Sequence, residues 1–118
     1  MDKRTRFEKV ALDSKYANEA RKLIKNLKAQ NHINRKEYLR KLSISKLKII
    51  ENLIYNILNG NIAIDYLTHE KLKRIKGIIR LIITKKLSKS KKIKILTSFK
   101  GLYLFSLILP YIHNFLKI

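Results

Sequence analysis

From Lys71 to Ile118 the chain carries 13 lysines and arginines and not one aspartate or glutamate. A segment of that kind cannot neutralise itself. It compacts only if an apolar core outweighs the mutual repulsion of its cations, or if a polyanion supplies the missing countercharge. The core material lies in the same segment, because the 16 residues from Gly101 to Leu116 contain no Lys, Arg, Asp or Glu. The first 70 residues differ in kind, with 15 bases against 8 acids, a net +7 within the whole-chain charge of +20.

Leu, Ile, Lys and Asn dominate, with 3 Gly and 1 Pro in 118 residues, which suits short helices joined by tight turns. The expected fold is all-α, a small bundle of about five to six short helices that ends in an apolar helix. Ala17, Ala20, Leu23, Ile24 and Leu27 fall on one stripe of a first helix that starts near Asp13 or Ser14. A short second helix, "RKEYLRKL", follows Asn34 as cap and turns Tyr38, Leu39 and Leu42 inward. Leu47, Ile50, Leu53, Ile54, Ile57 and Leu58 repeat at helical spacing in a third, capped by Ser43 or Ser45 and closed by Gly60 in the left-handed conformation. "NIAIDYL" reads as a connector, the alternative being one extended segment that buries Ile62, Ile64 and Leu67.

Thr68 is the expected cap of one long fourth helix, "HEKLKRIKGIIRLIITKKL", with Glu70 near its positive end and Lys85 and Lys86 near its negative end. Leu72, Ile75, Ile79, Ile82 and Ile83 share its apolar face, and Lys73, Lys76 and Arg80 share another. Ser88 or Ser90 caps a fifth helix running into "KIKILTSF". The last helix follows Gly101, with a kink expected at Pro110, whose ring removes one backbone hydrogen bond. No internal repeat or flexible linker divides residues 1–118. They read as a single domain, with a compositional step between the mixed-charge residues 1–67 and the acid-poor residues 68–118.

The groups that chemistry requires are scarce. His32, His69 and His113 lack metal-ligand spacing, Gly60, Gly77 and Gly101 are isolated rather than grouped in a phosphate loop, and no cysteine is present. His69 and Glu70 are helix neighbours that point in different directions. The acid-free half offers no carboxylate for metal-dependent hydrolysis. The expectation is a protein without enzymatic activity, cofactor or metal. The opening "MDKRTRFEKV" lacks the apolar stretch of a secretory signal, so the sequence points to an intracellular, unsecreted protein.

The positive candidate is nucleic acid. Lys71, Lys73, Arg74, Lys76 and Arg80 form one basic block, and Lys85, Lys86, Lys89, Lys91, Lys92 and Lys94 a second. Each can neutralise several phosphates and release condensed counterions, a contact that is indifferent to base sequence. Lysine lacks the planar fork with which arginine reads guanine edges, so coating or packaging of duplex DNA is favoured over reading a site, with RNA as an alternative polyanion. Aromatic platforms for base stacking are few, with Phe99 alone between Tyr66 and Tyr103. The apolar run, with Leu102, Tyr103, Leu104, Phe105, Leu107, Ile108, Leu109 and Ile112, has three readings: the bundle's central helix, a membrane-active segment, or a self-association surface. Sixteen helical residues span about 24 Å at 1.5 Å each, against a hydrocarbon core of about 30 Å.

The order of features from Leu53 to Pro110 resembles that of small basic proteins of adenovirus-like Polinton and adintovirus elements. Asn59, Gly60 and Asn61 match the turn after an apolar helix. Lys71, Lys73, Arg74, Lys76 and Arg80 match the first basic block, Lys85 to Lys94 the second, and Gly101 and Pro110 the apolar tail. The same order is similar to that of the precursors of the adenovirus mu core protein. The group has two adjacent glycines before the tail where this chain has Lys100, Gly101 and Leu102. The resemblance implies a DNA-condensing minor core protein found in the virion or the host nucleus beside other virion proteins. It carries no implication of cleavage at Gly101. Two other functions remain expectations: a membrane-active virion protein whose lysines attract anionic headgroups, and a structural module that binds an acidic protein.

Overall fold

Leucine and isoleucine at helical spacing dictate the architecture, and a computed structural model describes residues 15–118. Seven helices and no strand occur among them: α1 (Lys15–Ala29), α2 (His32–Arg40), α3 (Ile44–Leu58), α4 (Tyr66–Lys73), α5 (Lys76–Ile83), α6 (Lys89–Leu96) and α7 (Phe99–Phe115). The expected cap at Asp13 or Ser14 lies outside the described residues. α1 packs on both α3 and α7, α3 on α5, α5 on α6 and α6 on α7, which closes a ring of neighbours. α4 flanks α7, and α2 reaches α6. The whole α1 stripe is buried, and so are Leu39, Leu42, Leu47, Ile50, Leu53, Ile54 and Ile57, whereas Leu58 is exposed and Ile49 takes a place inside.

Polar capping sets the helix ends, in places other than expected. Asn31, not Asn34, caps α2 by accepting the Asn34 amide. Ser43, Ser88 and Ser98 cap α3, α6 and α7 in the same way. α3 ends as predicted at Gly60, whose φ of 76° is left-handed. The Gly60 amide returns to the Ile57 carbonyl and the Asn61 amide to that of Asn56, the paired bonds of a Schellman motif. "NIAIDYL" is a connector that runs into α4, with Ile62 buried, Ile64 half-buried and Leu67 on the surface.

The single long fourth helix is instead two, which brings the count to seven. α4 begins earlier, because the Asp65 carboxylate accepts the Thr68 amide at 2.7 Å and takes the capping role assigned to Thr68. Thr68 is buried, and its hydroxyl meets that of Tyr111 on α7 at 3.1 Å. The helix breaks at Arg74 and Ile75, whose amides bond to the carbonyls three residues back. The break sends the halves to different partners, α4 to α7 and α5 to α3 and α6. α5 then stops at Ile83, leaving Lys85 and Lys86 in the turn beyond it.

The Asp65 carboxyl is held below the ordinary carboxylate range, first by the Thr68 amide and then by the hydroxyls of Thr68 and Tyr111. A depressed folded-state pKa gives stability that is present above the unfolded value of 3.8 and drains as pH falls below it. Asp65→Asn, which keeps a capping oxygen but does not titrate, is expected to flatten the acid limb of thermal stability below that pH. An unchanged limb would place the acid sensitivity elsewhere.

α7 starts at Phe99, two residues before Gly101, and is continuous through Pro110. Pro110 and Ser106, whose carbonyl the proline leaves without a helical donor, both lie on the exposed side of the helix. Gly101 is buried in the first turn of α7 against the end of α6. A Cβ there would overlap the Ile95 carbonyl oxygen and come within 2.6 Å of the Leu96 carbonyl oxygen.

Candidate nucleic-acid interface

Ten of the eleven candidate cations lie on the surface. Lys71, Lys73 and Arg74 follow one another along the second half of α4, Lys76 and Arg80 lie on α5, Lys85 and Lys86 in the turn, and Lys89, Lys91 and Lys94 on α6. Because α5 packs on α6, Lys76 and Arg80 of the first block join the second block in one hairpin of helix, turn and helix. On α6, Ser90, Lys91 and Lys94 occupy one exposed arc, opposite Leu96 in the core. Lys89 and Lys91 sit in the first turn, where the positive end of the helix dipole disfavours cations, so no intrachain gain explains their place.

Lys92 does not belong to this surface. Its side chain is 6% exposed, and its ammonium donates to the Glu51 carboxylate on α3, itself 12% exposed. Burial in a cationic helix demands a partner for the charge, and Glu51 is positioned to supply it. The sequence reading grouped all six lysines as one phosphate-neutralising cluster by composition. What it lacked was the register: a residue four before Leu96 shares its inward face.

The remaining acids among the described residues lie outside the α5–α6 hairpin. Glu37 pairs with Arg40. Glu70 stands 3.6 Å from Lys73, and its carboxyl is held below the ordinary range first by the Tyr66 hydroxyl and then by the Lys73 charge. Asp65 caps α4, and Glu19 lines a cleft with Lys22 between α1, α2 and α3. No carboxylate among the described residues pairs with a cation of the α5–α6 hairpin other than Lys92.

Two arginines in the first half act on helix ends. Arg35 is buried and donates to the Leu27 and Gln30 carbonyls at the end of α1, and Arg21 donates to the Leu116 carbonyl at the end of α7. The buried amides form a ladder that sequence reasoning passed over: Asn52 donates to the Tyr16 hydroxyl, Asn56 to the Asn52 carbonyl, and Asn61 to the Asn56 side chain. Asn52 and Asn56 stand four apart on the apolar side of α3, the one available signal of an inward polar pair.

Of the apolar run, Leu104, Phe105, Ile108, Leu109 and Ile112 are in the core, Leu102 and Leu107 are half-buried, and Tyr103 is on the surface. No single helix among the described residues is long and apolar enough to cross a membrane. α6 and α7 pass that test only together, and they bend by 75° between them. Phe99 is 87% exposed, with Tyr103 one turn further along the same face of α7. No three of His, Cys, Asp and Glu converge on a metal site among the described residues. No protein-family model, curated protein or solved structure matches the chain.

Proposed function

We propose that the protein is a non-enzymatic, sequence-independent DNA-binding and DNA-condensing protein, of the kind implied by its resemblance to minor core proteins of adenovirus-like elements. The observation that carries this reading is the α4–α6 surface, where ten cations are exposed and, among the described residues, only Lys73 forms an ion pair with a carboxylate. The mechanism is phosphate neutralisation with release of counterions, and the buried α7 serves as scaffold. On this reading the protein works in the virion or the host nucleus, with duplex DNA as its partner.

The test is a salt titration of duplex binding, beside anionic vesicles as a competing polyanion. Lys89→Gln, Lys91→Gln and Lys94→Gln together are expected to reduce the slope of log K against log salt by about 2.7, from about 0.9 per phosphate contact. An unchanged slope removes these lysines from the mechanism. Binding to vesicles in preference to duplex overturns the DNA reading in favour of a membrane surface. Lys92 is left out of the variant, because its loss would report on folding.

A further inference from the structure

Lys25 and Lys28 on α1 and His113 on α7 line one shallow concavity beside Ala29. The helices run antiparallel here, since Arg21 meets the Leu116 carbonyl while residues a turn or two further along α1 meet His113. No carboxylate lines the concavity; Glu19, the acid of α1, faces a different cleft. Lys25 and Lys28 are exposed, one turn apart, and pair with no acid among the described residues. His113 is half-buried and offers an N–H donor in either protonation state.

This cationic island stands apart from the α5–α6 hairpin. The first turn of α7 abuts the end of α6 at Gly101, and from Phe99 to His113 the helix rises about 21 Å at 1.5 Å per residue. The island is built on α1 and α7, helices that supply none of the hairpin's cations, and His113 lies that distance along α7 from the joint with α6. Between them α7 presents Tyr103, Ser106 and Pro110 to solvent, with no charge. Along α7 no lysine or arginine between Lys100 and Lys117 joins the two groups.

We propose that Lys25, Lys28 and His113 form a second phosphodiester-binding site, so that one folded chain holds two DNA segments at once. This inference rests on the DNA-binding reading and adds a mechanism to it: condensation by bridging within a single chain. The hairpin seats one duplex, and the α1–α7 island takes a phosphate run of the next.

The experiment uses the full chain, one duplex immobilised on beads and a second, labelled duplex in solution, with single-duplex affinity measured in parallel. Lys25→Gln with Lys28→Gln is expected to cut capture of the labelled duplex at 0.1 M salt by on the order of tenfold or more, from two lost phosphate contacts. Affinity for a single duplex should stay close to wild type, and Lys25→Arg with Lys28→Arg should restore capture. Undiminished capture by the Gln variant overturns the inference and assigns bridging to association between chains. Parallel loss of single-duplex affinity also overturns it, because the two islands would then be one binding face. Wild-type protein that binds no duplex instead defeats the underlying DNA reading.

Discussion

Glu51→Ala is expected to destabilise the protein by about 3–5 kcal/mol, because it leaves the Lys92 ammonium buried without a partner. Lys92→Ala should cost a similar amount by stranding the carboxylate. The pair joins the acid-free half of the chain to α3, and removal of Glu51 alone also raises the net positive charge that already opposes compaction. The double replacement Glu51→Leu with Lys92→Met keeps the volume and removes both charges. It is expected to be neutral or stabilising by about 1–4 kcal/mol. Urea denaturation of the three variants checks this; single variants that lose less than about 1 kcal/mol would mean that the charges reach water when unpaired. In a DNA-binding screen, Lys92→Gln should look defective through loss of fold, with the unfolding transition shifted to match.

Gly101→Ala is expected to cost about 3 kcal/mol or more, an unusually large effect for one methyl group. The added carbon would overlap the Ile95 carbonyl oxygen and crowd that of Leu96, both backbone atoms at the end of α6 that no rotamer change can move. α7 must therefore lift from α6, which loosens Leu104, Phe105 and Ile108 beyond the joint. A fall in Tm of roughly 10 °C or more is the expected readout for a domain of this size. A fall of only a degree or two would show that the joint yields. Gly77→Ala serves as the control, since nothing lies within 4 Å of a Cβ there and alanine is the better helix former.

The all-α class, the buried stripes of α1 and α3, and the Gly60 turn were readable because each is a local periodicity or a local backbone demand. Helix breaks were harder to read. Leu72, Ile75, Ile79 and Ile82 fit one straight face, and only the separate partners of α4 and α5 require the interruption at Ile75. The same limit hid the partner of Lys92, which is 41 residues away, although its helical register with Leu96 marked it as inward-facing. Gly101 was visible as a joint between a basic and an apolar segment, yet its reason lies in contact with another helix. For the candidate surface, the sequence supplied the cations and the structure decided which of them remain outside.

The packing of α1 on α7 sets an order of events during synthesis. α1 ends at Ala29 and α7 begins at Phe99, so at about 5–20 residues per second several seconds pass between the two leaving the ribosome. Throughout that interval the stripe from Ala17 to Leu27 lacks its principal cover, while the lysines of α4, α5 and α6 emerge one after another. The basic part of the acid-free half of the chain is therefore delivered ahead of the helix that fixes its shape, and for those seconds its mutually repelling lysines have no finished core to hold them together.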